Sequence, residues 1–418
     1  MPESFTAFLE QVEREIRWKR ACSCLLTELK VHLQEQKEDF LAQGMSPLDA
    51  EQETLRQMGD PTEIGRQLER LHRPVSQKGL LLLGAGLMLI GLAIQLIIRS
   101  ELPWSTMPSL PKLLLLASLG LAGLLVGYWV DAAHLVRYGK PIFILVLAAG
   151  LCLCMNGSRV NSAVPYLHQL VWFYPLAYAL WLASWQGKQE KLLWWGAWGL
   201  LPFTALATQS GGRTDGLLVS ICGIVLLVGM LGTDGFKIRK KAEVAILAVV
   251  TVGCLWMSWQ ALGVENALPE ITWAGAAQWG AAGPTSALPE LFWRNADLYL
   301  PLVVWKIGWI PFLLLCSGLM LLLAAAAVQI FRLKNRLGKL LAGAVWMTLA
   351  GTFISALFTG FVMPGMGVSC PLLKIDFGTV EAMLLLGGML SIFRQQNLPI
   401  TFGETKGQWK LVYQPVEE

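Results

Sequence analysis

Residues 79–98 read GLLLLGAGLMLIGLAIQLII, twenty residues without a charged side chain. A helix rises about 1.5 Å per residue, so a run of this length crosses a hydrocarbon core of about 30 Å. Similar runs recur along the chain and predict ten membrane spans. The spans cover roughly residues 79–98, 111–130, 141–155, 168–185, 192–208, 215–232, 242–262, 298–328, 340–363 and 379–393. The predicted fold class is therefore all-α, a polytopic membrane protein with about ten transmembrane helices.

The composition excludes an ordinary soluble protein. Hydrophobic residues make up 55% of the chain and charged residues 15%, and the mean hydropathy is +0.52. Soluble globular domains have about 25% charged residues. The net charge of +4 gives no indication of nucleic-acid binding. Because the first apolar run begins near residue 79, we expect no cleaved signal peptide.

The positive charges of the loops predict the orientation in the membrane. Loops that face the cytoplasm carry an excess of Lys and Arg. In this chain such clusters occupy alternate loops: Arg137 and Lys140; Lys188 and Lys191; Lys237, Arg239, Lys240 and Lys241; and Arg332, Lys334, Arg336 and Lys339. Both termini should therefore be cytoplasmic, and the long loop of residues 263–297 should be outside.

This external loop is the one long non-apolar segment among the apolar runs, and its acids outnumber its cation. They are Glu265, Glu270, Glu290 and Asp297, against Arg294. Asp297 directly precedes the eighth predicted span. An acid at the end of a span, next to a loop that can fold over it, predicts a functional site. The alternative interpretation is an Asp that caps the first turn of the span.

Residues 1–75 predict a small cytoplasmic helical domain. Apolar residues recur at helical spacing in two helices, at Phe5, Phe8, Val12 and Ile16, and at Leu25, Leu29, Leu33 and Phe40. The second helix should end near Gly44. Ser46-Pro47 and Asp60-Pro61 then each predict a capped helix start with a first-turn proline.

One segment of this domain resembles a known family. Gln57-Met-Gly-Asp-Pro-Thr-Glu-Ile-Gly-Arg-Gln-Leu is similar to the bacterial permease-prefix (HAAS-type) cytoplasmic domain. The resemblance implies sensing or interaction, and a folded tether is the alternative. The expected organisation is a prefix domain (residues 1–75), a membrane domain (79–393) and a cytoplasmic tail (394–418).

The membrane part resembles the SEDS family, the FtsW/RodA/SpoVE peptidoglycan polymerases. The motifs that carry the resemblance are Asn156-Gly-Ser-Arg159, Leu288-Pro-Glu before Asp297, and Met363-Pro-Gly-Met-Gly367. In addition, Gln169 aligns with the start of the family's Gln-Pro-Ser-Glu segment, and Gln209 and Thr214 align with the ends of its Gln-Pro-Asp-Leu-Gly-Thr segment. The order of these motifs and the large loop after the seventh span both match the family.

The chain also departs from the family pattern. The Glu-Glu pair of the family is Trp305-Lys306 here, Pro-Ser-Glu is Leu170-Val171-Trp172, and the Ser-Tyr-Gly-Gly turn begins at Lys374. The chain is thus a divergent member by resemblance, and loss of activity is an open alternative.

The resemblance implies polymerisation of lipid II at the outer face of the bacterial cytoplasmic membrane, in division, shape or sporulation, with a class B penicillin-binding protein as partner. The loop-end aspartate of the family corresponds to Asp297, as general base or as the ligand of a divalent cation; no cofactor or metal ligand set is otherwise predicted. Gln169 is expected to bind substrate. A non-catalytic scaffold or regulator and a lipid or solute transporter are the alternatives.

Cationic side chains of the predicted external loops complete the expected site. Arg159, Arg213 and Lys374 would form a rim beside Asp297 that suits a phosphate-bearing lipid headgroup. Lys306 lies about two and a half turns inside the eighth predicted span, where a charge is costly unless it is paired or in a wet cavity. It is expected to complement the diphosphate or to pair with Glu381.

Overall fold

The computed structural model describes residues 3–17, 19–99, 108–130, 132–157, 164–185, 189–209, 215–233, 241–262, 299–333, 335–361, 370, 372–396, 400–405 and 408–413. The chain divides into two compact units. One contains residues 1–76 together with 394–418, and the other contains residues 77–393.

The first unit begins with four helices whose starts and stops follow the local sequence. They are α1 (Glu3–Glu15), α2 (Lys19–Ala42), α3 (Pro47–Met58) and α4 (Pro61–His72). Gly44, just beyond α2, has φ +88°, the left-handed backbone that favours glycine. The Ser46 side chain accepts a hydrogen bond from the Asp49 N–H, and the Asp60 side chain accepts one from the Thr62 N–H. The predicted caps are therefore confirmed.

The core of this unit is the predicted apolar face of α1 packed on α2. The buried side chains are Phe5, Phe8, Val12, Ile16, Cys22, Leu25 and Leu33. Leu55, Met58, Ile64 and Leu68 of α3 and α4 cover it. In the same unit, β1 (Ile400–Thr405) and β2 (Gln408–Tyr413) form an antiparallel hairpin in which Ile400 pairs with Tyr413.

The second unit is a bundle of apolar helices. They are α5 (Lys78–Arg99), α6 (Leu110–Trp129), α7 (Ala132–Arg137), α8 (Gly139–Gly157), α9 (Val164–Trp172), α10 (Tyr174–Ala183), α11 (Gln189–Gln209), α12 (Asp215–Thr233), α13 (Lys241–Leu262), α14 (Tyr299–Ile307), α15 (Trp309–Arg332), α16 (Arg336–Phe361) and α17 (Phe377–Arg394). Every predicted span coincides with one of these helices or with two in succession.

Five helices of the described residues are long and apolar enough to cross a membrane: α5, α6, α15, α16 and α17. Shorter apolar stretches lie in α8, α12 and α13. Helices are the expected form, because a backbone in lipid must satisfy its own hydrogen bonds. The predicted all-α, polytopic class is confirmed.

Two of the predicted continuous spans are interrupted. The predicted span 168–185 is divided at Phe173 into α9 and α10, two residues before Pro175, which has no N–H for the helix. The predicted span 298–328 is divided at Gly308, whose φ of 84° and ψ of 169° suit glycine alone. The prediction of one continuous helix through Lys306 was therefore wrong. Lys306 lies in the last turn of the short helix α14, before the long helix α15 begins.

Small residues allow two helices of the bundle to touch through their backbones. A Cβ placed on Gly127 of α6 would lie 2.4 Å from the Leu384 carbonyl oxygen. A Cβ placed on Gly387 of α17 would lie 2.3 Å from the Leu124 carbonyl oxygen. Close contacts of this type through small residues are a common way for helices to associate in membranes.

Buried hydroxyl groups join α11, α12 and α13. The Thr204 and Ser220 hydroxyls are 3.1 Å apart, and the Ser220 and Ser258 hydroxyls are also 3.1 Å apart. All three side chains are fully buried. Each hydroxyl also lies within hydrogen-bond distance of a carbonyl of its own helix, so its single proton has an acceptor without water.

Candidate functional site

The short segment before α17 is held against α5 by one buried glutamine. The Gln95 side chain accepts a hydrogen bond from the Ile375 N–H at 2.7 Å and directs its Nε2 to the Ile375 carbonyl at 3.5 Å. Gln95 is 1% exposed. A Cβ on Gly91, one turn earlier, would lie 2.4 Å from the Leu372 carbonyl oxygen, so the segment runs directly along the helix backbone. The clamp fixes where α17 begins.

The same segment caps α17. The Thr379 N–H donates to the Asp376 carboxylate at 3.2 Å, and the Asp376 N–H donates to the Thr379 hydroxyl oxygen at 3.2 Å. The Thr379 hydroxyl donates in turn to the Lys374 carbonyl at 2.5 Å. This reciprocal pair works as a capping box does, satisfying N–H groups that the first turn leaves without partners.

Tyr299 connects this segment to the start of α14. It is 3% exposed, and its hydroxyl donates to the Leu373 carbonyl at 3.1 Å. The Lys374 ammonium lies 6.0 Å from the centre of the Tyr299 ring. In the sequence, Tyr299 follows Asp297 by two residues. The fold therefore brings a predicted substrate-binding lysine to the helix that begins just after the predicted catalytic acid.

A cavity of about 370 Å³ opens between α8, α9 and α17. Its walls are mainly apolar, and its polar side chains are Tyr166, Gln169 and Glu381; the other lining residues are Ala149, Leu153, Leu170, Phe173, Phe377, Val380 and Leu384. We call it the Glu381 groove. Pockets of about 300–1,000 Å³ with apolar walls and few polar groups are typical of small-molecule sites.

Glu381 is the acid of this groove, and it lies one turn into α17. Its Oε1 is buried and has no hydrogen-bond partner among the described residues. A buried polar atom without a partner costs about 1–3 kcal/mol. Glu381 is thus an unsatisfied acceptor beside an apolar cavity.

A second buried acid lies elsewhere in the same unit. Asp215, the first residue of α12, is fully buried, and the Ser355 hydroxyl of α16 donates to its Oδ1 at 3.1 Å. Acids within a membrane bundle are costly and usually have a partner. The hydroxyl supplies one here, so the pair joins α12 to α16 and has a structural explanation.

The predicted site residues are distributed as follows. Asp297, Arg159 and Arg213 lie outside the described residues, as does the loop 263–297. Gln169 lines the Glu381 groove, whereas Lys374 lies beside Tyr299. The described residues include no group of three or more His, Cys, Asp or Glu side chains suited to a metal ion.

Sequence reasoning missed three contributors to this region. Gln95 was a polar residue within an apolar run, a signal that could have been used. Tyr299 gave no signal, because an aromatic residue at the end of a span is common. The sequence predicts Glu381 only as a partner for Lys306, whereas the structure places it in a groove with Gln169.

The sequence gives no match to protein-family models or to curated proteins. The structure is similar to solved structures of the rod shape determining protein RodA of Thermus thermophilus. For RodA the identity is 15% and the TM-score 0.52, covering 76% of this chain and 96% of RodA. An aspartate-to-alanine mutant of RodA is 16% identical with a TM-score of 0.53, and the match covers 76% of this chain and 97% of that chain.

A chain of a peptidoglycan synthase complex, described as coordinating polymerization and crosslinking, is similarly related. The identity is 15% and the TM-score 0.55, covering 77% of this chain and 98% of that chain. Identities of 15–16% show the fold alone. Over about three quarters of its length, this chain has the polytopic helical fold of RodA.

Proposed function

We propose that this chain is a divergent SEDS-type peptidoglycan glycosyltransferase that polymerises lipid II at the outer face of the bacterial cytoplasmic membrane. The observation that carries the proposal is the RodA fold, which extends over 97% of the RodA mutant chain. The order of the sequence motifs, from Asn156 to Met363, supports it independently.

The proposed reaction is a displacement at a sugar carbon. A hydroxyl of the acceptor lipid II attacks the anomeric carbon of the growing glycan, and its proton passes to the Asp297 carboxylate. The bond from that carbon to the diphosphate oxygen breaks, and undecaprenyl diphosphate leaves with the electron pair. A positioned general base contributes about 10²- to 10⁴-fold.

Positive charge near the diphosphate stabilises the leaving group. Lys374 is supported for this role, because it lies next to Tyr299 at the start of α14. Arg159, Arg213 and Lys306 are proposed to contribute to the same rim. The same proposal includes the alternative role of the Asp297 carboxylate as the ligand of a divalent cation.

The partner and the orientation are part of the proposal. The similar chain in the peptidoglycan synthase complex supports a class B penicillin-binding protein as partner. The alternating basic loops support cytoplasmic termini, with residues 1–75 acting as a prefix domain that senses or interacts on that side and residues 394–418 as a tail. Accessibility of single cysteines introduced in place of Glu3 and of Ser286, in a cysteine-depleted chain in intact cells, tests this orientation. Labelling of the cysteine at the Glu3 position from outside would contradict it.

The test of the chemistry uses the full chain purified with its penicillin-binding partner and labelled lipid II. We expect glycan polymer from the wild type and a loss of at least about 10²-fold in Asp297→Ala. Asp297→Asn keeps the shape of the side chain and should also be inactive. Asp39→Asn, a surface change in α2, is the matched control and should leave polymerisation unchanged.

A non-catalytic relative is the second candidate. The observation that favours it is the Glu381 groove, whose described lining residues include an acid and no cation for a diphosphate. The absence of polymer under every condition, with Asp297→Ala neutral in cells, would support this candidate over the enzyme. Movement of labelled lipid headgroups across vesicles without polymerisation would instead favour a transporter.

A further inference from the structure

Two stacked indole rings lie where the start of α8, the end of α10 and the start of α11 meet. The Trp185 and Trp195 ring centres are 5.7 Å apart, with an angle of 8° between the ring planes. The Trp181 indole N–H donates to the Trp195 carbonyl at 3.1 Å, which joins α10 to α11. A Cβ placed on Gly139 would lie 2.4 Å from the Leu180 carbonyl oxygen, so α8 begins directly against α10. The indole pair is therefore held by three packed helices.

Each ring of the pair has a lysine beside it. The Lys140 Nζ lies 4.1 Å from the centre of the Trp185 ring, a distance suited to a cation–π contact. Lys191 precedes Trp195 by four residues on α11, so the two side chains share one face of that helix. Both lysines and Trp195 are exposed. The stacked rings thus place two ammonium groups at the surface of the bundle.

The charge at this surface is positive. Neither Lys140 nor Lys191 forms an ion pair with any described residue. Arg137, exposed at the end of α7, adds a third cation three residues before Lys140, and its guanidinium lies 5.9 Å from the Tyr138 ring centre. Between residues 132 and 200 the only acid of the sequence is Glu190. An anionic ligand would therefore complement this surface.

The neighbouring apolar faces favour a lipid over a soluble anion. Next to the lysines, α8 exposes Ile144 and Leu145, and α11 exposes Trp194 and Trp198. Tryptophans at the ends of membrane helices lie at the level of the lipid headgroups, and lysines extend their ammonium groups to the same level. A lipid phosphate can therefore meet the lysines while its chains lie along the helices.

This surface is remote from the motif that resembles the polymerase site. Lys140 and Asn156 are near opposite ends of α8, about 24 Å apart along the helix. The Lys140 end is the one that the basic loops predict to face the cytoplasm, and the cytoplasmic leaflet is rich in anionic lipids. The lipid that fits here is thus an ordinary anionic phospholipid of that leaflet.

We propose that Lys140, Lys191, Trp185 and Trp195 form a binding site for an anionic phospholipid, which we call the indole site. The two ammonium groups donate hydrogen bonds to the lipid phosphate, which lysine binds as a point charge. The glycerol backbone lies against the exposed Trp195 ring, and the chains follow the apolar face of α8. The proposal goes beyond the polymerase activity, because it concerns binding at the other end of the bundle.

The experiment measures lipid binding to the full chain in detergent by native mass spectrometry. The probe is phosphatidylglycerol, compared with phosphatidylcholine of the same chains as the lipid without net charge. We expect one phosphatidylglycerol to bind saturably and more tightly than phosphatidylcholine. Lys140→Gln and Lys191→Gln should each weaken that binding about fivefold, the effect of one lysine near an anionic lipid surface.

Two variants and a competitor test the assignment. Lys339→Gln removes an exposed lysine at the start of α16 that has no ring contact among the described residues, so it should leave the tight binding unchanged. Lys140→Arg keeps the charge and should bind like the wild type. Glycerol 3-phosphate should fail to displace the lipid, because it lacks the chains. The changed side chains are exposed, so all variants should unfold at the temperature of the wild type.

Equal losses in Lys140→Gln and Lys339→Gln would reveal a general attraction to basic loops and overturn the proposal. Equal binding of phosphatidylglycerol and phosphatidylcholine, or displacement by glycerol 3-phosphate, would also overturn it. The outcome is separable from that of the polymerase test. Selective binding of phosphatidylglycerol without polymer would retain this proposal and reject the enzyme, and polymer without selective binding would do the reverse.

Discussion

The contact between α6 and α17 makes a sharp prediction, because two adjacent glycines of α17 have opposite surroundings. A Cβ on Gly387 would lie 2.3 Å from the Leu124 carbonyl oxygen and 2.9 Å from the Tyr128 nitrogen. A Cβ on Gly388 would meet no atom within 4 Å. Gly387→Ala and Gly388→Ala therefore change the same helix by the same atoms and differ only in what the added methyl group meets.

The distances set the expected magnitude. Ordinary van der Waals contact begins at 3.4 Å, so the added methyl group of Gly387→Ala must move about 1 Å away from the Leu124 carbonyl. Both partners are helix backbone, so no side-chain rotation can relieve the contact. Overpacking of this kind costs about 1–3 kcal/mol. The gain in helix propensity from Gly to Ala, up to about 1 kcal/mol, is common to both variants and cancels in their comparison.

The measurement is the thermal unfolding of the full chain in nanodiscs. We expect Gly387→Ala to unfold several degrees below Gly388→Ala, at about 2–4 °C per kcal/mol, and Gly388→Ala to be as stable as the wild type or more so. The contact also positions the Glu381 groove, since Leu384 lies at the contact and lines the groove. Equal unfolding temperatures for the two variants would refute the close approach of α6 and α17.

Three further predictions concern other contacts. Gln95→Leu should destabilise the membrane unit by about 1–3 kcal/mol, because it leaves the buried Ile375 N–H without its acceptor; an unchanged unfolding temperature would contradict the clamp. Gly308→Ala should cost about 1–3 kcal/mol, since alanine strongly disfavours this backbone conformation. Gly86→Ala, with no atom within 4 Å of an added Cβ, is its control in the same thermal measurement. The Ser4 hydroxyl, followed by the Lys37 ammonium, lowers the pKa of Glu51 below its ordinary value of 4.5, against the opposing effect of desolvation. The resulting small stabilisation is present above the ordinary pKa and is lost as the pH falls through the lowered value. In the wild type, the protection of residues 3–58 against hydrogen exchange should therefore include a contribution that is lost between about pH 6 and pH 3. This contribution should be absent in Glu51→Gln, and an identical pH profile of protection in the variant would argue against the contact.

The local sequence determined the elements of this protein. Ser46 and Asp60 cap α3 and α4 as predicted, because a cap needs only a side-chain oxygen two or three residues before an N–H without a partner. The apolar runs determined the helices of the bundle for a similar reason: hydropathy and helical hydrogen bonds act over a few turns of the same chain.

Only the tertiary structure decided the site. Gln95 meets Ile375 across 280 residues, and Gln169 shares a groove with Glu381 across the packing of three helices. No pattern in either local sequence indicates its partner. The interruption at Gly308 is of the same kind. A glycine within an apolar run is compatible with a continuous helix, and here α14, packed through Tyr299 against Leu373, starts a separate helix from α15. Local interactions made the helices, and contacts between distant segments placed the polar groups that give them a candidate function.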